Sequence, residues 1–329
     1  MAELIVNTEA VVHNYRHYAE NGPVIPVLKS NAYALGAMQL QALLKEQGAA
    51  LFACATADEA LELAGTQERI LLLSCVHDTA LLRKLLQCHI IISVESLPQA
   101  QAVSALQMDA HIHLAVDSGF GRFGFLPEQL DEMKQVFSLK DVHVEGIFSH
   151  FRSRAAAPEQ FARFSQVLLG LSDYPVGLRH IAATHTADIA QYRLDAVRIG
   201  SGLTGCGCPE LVPAAVMQAR ICAVRQLKKG DRIGYGSTLL RRDSTVAVID
   251  AGTADGAFTY RNRGLRAFWQ QRHPYVLLGD TRVPVLCPPG LTHTMIDATG
   301  LNCHTGDIVT VPHDLVLTDS RVPRRYTAQ

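Results

Sequence analysis

The chain has 329 residues, with 30 lysines plus arginines against 31 aspartates plus glutamates. This length suits two domains, or one large barrel with an appended module. The balanced charge excludes a global field that would attract nucleic acid or an anionic membrane, so we expect a small-molecule partner. No apolar segment reaches membrane-spanning length and no secretory pattern opens the chain, which leads us to expect a cytoplasmic protein.

From about residue 10 to residue 205, short apolar runs alternate with longer segments of helical period. Eight strand-helix units in roughly two hundred residues are typical of a closed (β/α)8 TIM-type barrel, whose chemistry lies at the carboxyl ends of the strands. The predicted strands are Ile25–Lys29, Leu51–Ala55, Ile70–Ser74, Ile90–Val94, His111–Val116, Val142–Ser149, His180–Thr184 and Ala196–Ile199.

After about residue 209, glycine-punctuated β runs replace the helical pattern. These runs are Thr245–Ile249, Val283–Leu286 and Ile308–Val311, and they predict a mainly antiparallel β domain. We therefore assign residues 10–208 to the barrel and residues 209–329 to the β domain. Ile5 and Val6 predict that residues 1–9 add an edge strand to the β domain.

Lys29 follows an apolar run, Val24–Leu28, and stands where a buried strand would end. Apolar surroundings disfavour the ammonium form, so such an amine titrates nearer neutrality and can condense with an aldehyde. The alternative is a lysine whose stem packs on apolar surface while its amine reaches water.

The eight cysteines are scattered, mostly in apolar runs, so we expect no disulfides. Cys206 and Cys208 form the only tight pair, with His180 and His185 upstream. Structural zinc sites usually separate paired cysteines by at least two residues, so we expect no metal site here.

Seven short motifs, in order along nearly the whole chain, resemble motifs of the alanine racemase family. The run Val27–Tyr33 resembles the pyridoxal phosphate lysine motif of that family, and His113–Gly124 resembles its Asp-Thr-Gly-Met-Gly-Arg segment. Their common order argues against chance agreement. The other five motifs are Glu145–Phe151, Val197–Gly200, Ile233–Gly236, Gly252–Gly256 and Arg321–Tyr326.

This resemblance implies a homodimeric amino-acid racemase, an isomerase, in which Lys29 holds pyridoxal 5'-phosphate and Tyr235 of the partner subunit faces it. Two groups on opposite faces can remove the Cα proton and return it on the other side. The resemblance also implies that His150, backed by Arg198, supports Tyr235. Arg198 would donate to the pyridine nitrogen. Because an arginine cannot accept the proton of that nitrogen, the ring would stay largely unprotonated and would be a weaker electron sink.

Further roles follow from the same resemblance. Arg122 would contact the phenolic oxygen of the cofactor and the substrate carboxylate through its planar guanidinium. The phosphate would be held by hydroxyl and N–H groups rather than by a lysine. The implied phosphate-binding residues are Tyr33, Thr184, Gly200, Ser201 and Tyr326.

Several positions depart from the family pattern. Ala115 stands where many relatives carry a lysine that positions the arginine matching Arg122. Thr253 replaces a tyrosine of the access path, and Leu291, an implied substrate contact, lies in an altered segment. Alanine is the default substrate, and another small amino acid such as serine, or a bulkier one, remains an alternative.

Other interpretations stay open from the residues alone. Tyr235 could be a turn tyrosine between glycines, Arg198 a surface ion-pair residue, and Arg122 an exposed loop arginine. Two rival functions are a pyridoxal phosphate-dependent decarboxylase of the same fold and a non-catalytic homologue that binds the cofactor. A decarboxylase would have an acidic partner for the ring nitrogen, at the position of Arg198. The departures at Ala115 and Leu291 are consistent with the non-catalytic homologue.

Overall fold

The computed structural model describes residues 1–66, 68–259 and 273–328. The chain divides into two compact units. The barrel unit comprises Ala10–Ala32 and Gly36–Val212, and the β unit comprises Met1–Glu9, Tyr33–Leu35 and Pro213–Gln329. No helix among the described residues is long and apolar enough to cross a membrane.

The strands are β1 (Glu3–Asn7), β2 (Val24–Pro26), β3 (Phe52–Cys54), β4 (Ile70–Cys75), β5 (Ile91–Val94), β6 (Ala110–Ala115), β7 (Val142–Phe148), β8 (Leu178–His180), β9 (Val197–Ile199), β10 (Ala215–Leu227), β11 (Arg232–Ile233), β12 (Thr238–Leu239), β13 (Ser244–Ile249), β14 (Tyr275–Leu278), β15 (Thr281–Pro284), β16 (Thr294–Asp297), β17 (Ile308–Val311) and β18 (Arg324–Thr327). The helices are α1 (Thr8–Ala19), α2 (Lys29–Tyr33), α3 (Ala37–Glu46), α4 (Ala57–Ala64), α5 (Thr79–Gln87), α6 (Leu97–Ser104), α7 (Leu130–Val136), α8 (Ala157–Gly170) and α9 (Ala190–Arg193).

Eight parallel strands close into a ring in the barrel unit. Strands β3 to β8 form one sheet in chain order, and β2 pairs with β9. Parallel bridges complete the ring. Val27, just after β2, pairs with Ala53 of β3, and Ala183, just after β8, pairs with Arg198 of β9. The predicted (β/α)8 barrel is therefore confirmed.

Three of the helices between these strands, α4, α5 and α6, begin at polar caps that the sequence supplies. Thr56 and Glu59 form a reciprocal capping box at the start of α4. The side chains of Asp78 and Ser96 accept hydrogen bonds from the first turns of α5 and α6. Each cap satisfies N–H groups that have no partner within the helix, which stabilises a helix by about 1 kcal/mol.

Apolar side chains of the strands, and of residues next to the strands, form a buried cluster in the barrel unit. Full burial of one such aliphatic side chain contributes about 1.5–3 kcal/mol, so this cluster holds the ring closed. Its buried members are Ile25, Val27, Leu51, Ala53, Leu71, Ile91 and Ala196.

Two strand boundaries differ from the sequence prediction. The seventh predicted apolar run, His180–Thr184, is in β8 only at His180. The strand ends there because Thr186 closes a turn on Ala183, with hydrogen bonds between the two residues. Lys29, predicted as the last residue of a strand, instead begins α2.

The β unit is built on a mainly antiparallel sheet, as the glycine-punctuated pattern predicts. Its central path runs in the order β15, β14, β17, β10, β1, β18, and β13 joins β10 to β16. The prediction of an edge strand in residues 1–9 was wrong, because β1 pairs with β10 on one side and with β18 on the other. The last strand of the chain supplies the outer partner, which local sequence patterns do not reveal.

Candidate active site

Lys29 lies just beyond β2, at the carboxyl ends of the barrel strands, and is followed by an unusual backbone turn. Five consecutive residues without a glycine, Ser30–Ala34, have φ between 52° and 67°. This left-handed conformation costs about 1–2 kcal/mol for each residue with a side chain. Hydrogen bonds offset part of the cost: the carboxylate of Glu59 accepts from the N–H of Ser30 at 2.6 Å, and Oδ1 of Asn31 accepts from the N–H of Ala37 at 2.7 Å.

The surroundings of Lys29 shift its amine towards neutrality. Burial lowers its pKa, the positive charge of Arg122 lowers it further, and the carboxylate of Glu59 opposes both effects. A lysine whose pKa is lowered has a larger neutral fraction near pH 7, which is the form that attacks an aldehyde or accepts a proton. The sequence interpretation of Lys29 as a reactive amine therefore has a physical basis in the structure.

Arg198 is buried in β9 and is the centre of a polar cluster inside the barrel. Its terminal amino groups donate to Nδ1 of His180 at 2.5 Å and to Nδ1 of His150 at 3.3 Å. They also donate to the backbone oxygens of Ser149, His180 and Ile181. These contacts leave the Nε–H group unused among the described residues. A guanidinium with so many acceptors keeps one orientation, and its remaining donor is available to a ligand.

The cluster continues from Arg198 to a third histidine. Because arginine only donates, His150 and His180 each accept at Nδ1, and a neutral ring then carries its hydrogen on Nε2. Nε2 of His180 lies 3.0 Å from Nδ1 of His113 and donates to it. We call the chain His150–Arg198–His180–His113 the histidine relay. It runs through the barrel, and three of its four members come from different strands.

Burial keeps the relay histidines neutral. Burial and the charge of Arg198 lower the pKa of His150 to about 3, with smaller effects of Arg122 and Lys29. Burial, followed by Arg69 and Arg198, lowers the pKa of His113 to about 3, and burial and Arg198 lower that of His180 well below its usual value. Arg198 itself stays protonated at neutral pH, although burial lowers its pKa to about 9.

Neutral buried histidines make stability depend on pH. The unfolded chain binds protons on these residues as the pH falls below about 6.5, whereas the folded chain does not, so stability is lost as the pH falls. We expect a loss of about 2 kcal/mol for each relay histidine between pH 6.5 and pH 5. Urea unfolding at fixed protein and cofactor concentration checks this. His113→Gln should remove about a third of the change in unfolding free energy between pH 6.5 and pH 5. His304→Gln, at an exposed position, should leave that change as it is in the wild type.

Arg122 is held by a turn that Asp117 organises. The carboxylate of Asp117 accepts from the N–H groups of Gly119, Phe120, Gly121 and Arg122, at 2.7–3.1 Å. Burial alone would raise the pKa of Asp117, but these four N–H groups outweigh it and lower the pKa. The turn therefore needs an ionised carboxylate at its centre.

Two aromatic rings enclose the guanidinium of Arg122. Its Cζ atom lies 4.5 Å from the ring centre of Phe120 and 4.6 Å from that of Phe123. Phe120 also contacts the ring of His150, with 5.4 Å between the ring centres. Each cation–π contact contributes about 0.5–1 kcal/mol at an exposed site. Stacking on these two rings thus orients Arg122.

Asp117→Asn should disorder this turn with little effect on the barrel. An amide cannot accept four N–H bonds as a carboxylate does, and a lost charge-assisted hydrogen bond costs about 1.5–3 kcal/mol. We expect substrate affinity to weaken about tenfold or more, measured as KM. Asp131→Asn is the control, since Asp131 lies exposed at the start of α7. Unchanged KM in Asp117→Asn would contradict the positioning role of this turn.

A second group of predicted residues surrounds the start of the turn that follows β9. The hydroxyl of Thr184 accepts from the N–H of Gly202 at 3.1 Å, so its own hydrogen is available to another acceptor. Gly200 and Ser201 begin the 3₁₀ turn Ser201–Thr204, and the first N–H groups of such a turn have no partner within it. A Cβ on Gly202 would lie 2.8 Å from the ring of Tyr18, so only glycine fits. These donors suit a phosphate.

Within the β unit, Tyr326 lies against the segment Tyr33–Leu35. Its hydroxyl donates to the backbone oxygen of Leu35 at 3.0 Å, and Nε of Arg324 donates to that of Ala34 at 2.5 Å. The structure therefore places Tyr326 next to the segment that contains Tyr33, the other tyrosine that the resemblance assigns to the phosphate. Burial raises the pKa of Tyr326, so this residue acts as a neutral hydroxyl near pH 7.

Tyr235 lies in the turn of the β11–β12 hairpin, also in the β unit, and its side chain is 79% exposed within the single chain. Gly234 and Gly236 have φ of 60° and 85°, which glycine adopts without strain. A Cβ on Gly290 would lie 3.6 Å from the Tyr235 ring, so the two segments are neighbours. The predicted substrate contact Leu291 follows Gly290 directly and is likewise exposed.

The segment with Leu291 is fixed to the segment with Thr253. The N–H groups of Thr253 and Ala254 donate to the backbone oxygens of Gly290 and Leu291, each at 2.9 Å. A Cβ on Gly252 would collide with the backbone of Leu291, so this close approach requires glycine. Two positions that depart from the family pattern, Thr253 and Leu291, therefore share one surface of the β unit.

Comparison with known proteins matches both units. A model described as "Alanine racemase, N-terminal domain" matches residues 6–207, and one described as "Alanine racemase, C-terminal domain" matches residues 214–320. The chain belongs to the alanine racemase family. It is 31% identical over 314 residues to the alanine racemase of Methanococcus maripaludis, covering 88% of this chain and 81% of that protein.

Solved structures of this family have the same fold. The crystal structure of alanine racemase from E. faecalis has a TM-score of 0.85 at 25% identity, covering 99% of this chain and 98% of that one. Alanine racemase from Bartonella henselae, with covalently bound pyridoxal phosphate, has a TM-score of 0.84 at 25% identity and covers 99% of each chain.

Several residues of this candidate site were not predicted from the sequence. His113 and His180 stand in predicted strands, but no role was assigned to them. The signal available was polar residues at positions of apolar strands, which require hydrogen-bond partners when buried. Asp117 was quoted only within a motif, and the aromatic pair around Arg122 went unnoticed because stacking depends on the path of the loop.

Proposed function

We propose that the chain is a pyridoxal phosphate-dependent alanine racemase that acts as a homodimer in the cytoplasm. The observation that carries the proposal is the amine of Lys29, with its pKa lowered, at the carboxyl ends of barrel strands that also hold Arg198 and Arg122. Membership of the alanine racemase family supports the reaction. Eight cysteines without a disulfide support a reducing compartment.

The residues present fit the cofactor by their chemistry. Lys29 offers an amine for covalent attachment, and Arg198 offers a fixed donor for the pyridine nitrogen. Thr184, Gly200 and Ser201 offer hydroxyl and N–H donors for the phosphate. When bound, pyridoxal phosphate supplies an electron sink that makes the Cα proton of an amino acid removable.

Lys29 would then move the proton at Cα on one face of the substrate. Its lowered pKa leaves part of the amine neutral near pH 7, so it can accept that proton and donate it again. We propose that Tyr235 of the partner subunit exchanges the proton on the opposite face. Its exposure within the single chain agrees with a residue that reaches a neighbouring subunit, and Leu291 would contact the substrate beside it.

The histidine relay would serve the tyrosine rather than touch the substrate. An ordinary phenol has a pKa near 10, so a base requires neighbours that stabilise its anion. His150 is neutral with its hydrogen on Nε2, and that N–H can donate to a phenolate. The charge of Arg198, one hydrogen bond away, favours the anion further.

Arg122 would bind the substrate carboxylate, and its arrangement selects for an amino acid. A guanidinium recognises a carboxylate through two parallel hydrogen bonds. The rings of Phe120 and Phe123 fix its plane, so the substrate would be oriented before any proton moves. We propose that residues 10–208 form the cofactor-binding domain and that residues 209–329, with residues 1–9, supply Tyr235 to the partner subunit.

The test is incubation of the purified, cofactor-saturated protein with single L-amino acids in D2O. The proposal expects alanine to acquire deuterium at Cα and to invert, faster than serine and bulkier amino acids. Deuteration without inversion would contradict a racemase with two bases, and release of carbon dioxide would favour the decarboxylase. Arg198, proposed to donate to the pyridine nitrogen where a decarboxylase would have a carboxylate, argues against that rival.

A further inference from the structure

A cavity opens at the end of the barrel opposite Lys29. It has a volume of about 620 Å³ and lies among the amino ends of the strands, within the barrel unit. Cavities of about 300–1,000 Å³ are the usual size of small-molecule sites. Most of its wall is apolar, formed by residues that include Val24, Ile25, Leu51, Leu178 and Ala196.

One buried polar group in this wall is His113, the last residue of the histidine relay. His113 is 1% exposed, and its Nδ1 accepts from His180, so its hydrogen is on Nε2. That N–H has no acceptor among the described residues, and His113 lines the cavity. Gly146 makes room for the ring, because a Cβ there would lie 2.6 Å from Cε1 and 2.7 Å from Nε2 of His113. A buried donor therefore faces the cavity without a protein partner.

The charge around this donor is positive. Arg69 lies at the rim of the cavity, and Arg198 is joined to His113 through His180. The guanidinium groups of both arginines act electrostatically on His113. The carboxylate of Glu145, also in the wall, forms an ion pair with Arg69 and lies 2.7 Å from Nδ1 of His111. A buried N–H donor in a positive field favours an anionic acceptor.

We propose that this cavity binds a small aliphatic carboxylate. Its oxygens would accept from Nε2–H of His113 and interact with Arg69, and its apolar chain would pack along Ile25, Leu51 and Leu178. The site is separate from the one that holds Lys29, and the proposal does not depend on the activity of the chain. Because His113 ends the relay, an anion bound there would strengthen hydrogen bonding along the relay, first at His180.

The probe is hexanoate, with hexanamide as the uncharged molecule of the same shape, titrated calorimetrically into the cofactor-saturated protein. We expect one hexanoate per chain with a Kd on the order of 1 mM, and hexanamide at least about tenfold weaker. Histidine labelled with ¹⁵N should report the contact, since the Nε2 signal of His113 should move on saturation with hexanoate.

Three variants test whether hexanoate binds in this cavity. Ala50 is exposed in the cavity wall, so Ala50→Phe should obstruct the cavity and weaken hexanoate binding at least about tenfold, and Arg69→Gln should weaken it about tenfold. Ala42→Phe, at an exposed position of α3 outside the wall, should bind as the wild type does. The proposal is overturned by the absence of saturable binding, by equal affinity for hexanamide, or by undiminished binding in Ala50→Phe.

Discussion

Lys29→Ala is expected to lower racemase activity by at least about a thousandfold, equivalent to about 4 kcal/mol of transition-state stabilisation. On the proposal above, the variant would lose both the covalent attachment point for the cofactor and the group that moves the proton on one face. The fold should persist, because Lys29 begins a turn that hydrogen bonds of Glu59 and Asn31 hold in place. Activity and the cofactor retained after gel filtration are the measurements.

Lys140→Ala is the matched control for this variant. Lys140 is 82% exposed and lies outside the candidate site, so its replacement should leave both measurements unchanged. Added methylamine should restore part of the activity of Lys29→Ala, because a free amine can take the place of the missing side chain. Full cofactor retention together with near-wild-type activity in Lys29→Ala would refute the assignment of Lys29.

Tyr235→Phe should separate proton exchange from inversion. Without the phenol, one face of the substrate loses its base, while Lys29 can still remove and return a proton on the other face. We expect inversion of alanine to slow about a hundredfold or more, the usual contribution of one positioned acid or base. Cα deuteration in D2O should persist for one enantiomer and be lost for the other. Equal slowing of deuteration for both enantiomers would count against a facial base.

Tyr275→Phe removes the same hydroxyl elsewhere in the β unit and should have little effect on either rate. Tyr275 stacks with Arg282, at 4.8 Å from its Cζ atom to the ring centre, and lies in β14. Its ring is retained in the variant, so this contact stays. A comparable loss of inversion in Tyr275→Phe would show that hydroxyl loss in this unit acts through stability rather than chemistry.

Mixing the two inactive variants tests whether Tyr235 acts across a subunit boundary. A dimer with one Lys29→Ala chain and one Tyr235→Phe chain would have one site with both residues intact and one site with neither. Random exchange of subunits should therefore restore about a quarter of the wild-type activity. Absence of any recovery, with exchange verified by mass, would mean that both residues act within one chain.

The barrel could be predicted from the sequence because its signals are local. Each strand buries a short apolar run, so the pattern of such runs reveals eight strands before any contact is known. The order of the motifs placed Lys29, Arg122, His150 and Arg198 at or near strand ends. Boundaries were less accurate, as at His180, where a turn closed by Thr186 ends the strand early.

Features that depend on distant parts of the chain could not be predicted. The turn after Lys29 is left-handed although it contains no glycine, and a hydrogen bond from the N–H of Ser30 to the carboxylate of Glu59 helps to hold it. The relay joins His113 to His180 across 67 residues, and β1 has the last strand of the chain as a neighbour. Each of these requires the tertiary structure, because no local propensity favours it.

The most direct test of the account is to find where the cofactor is attached. The cofactor-saturated protein is reduced with borohydride, digested and sequenced by mass spectrometry. The account predicts about one pyridoxyl group per chain, located on Lys29. A pyridoxyl group on another lysine, such as Lys45, or no covalent group in a protein that racemises alanine, would contradict it.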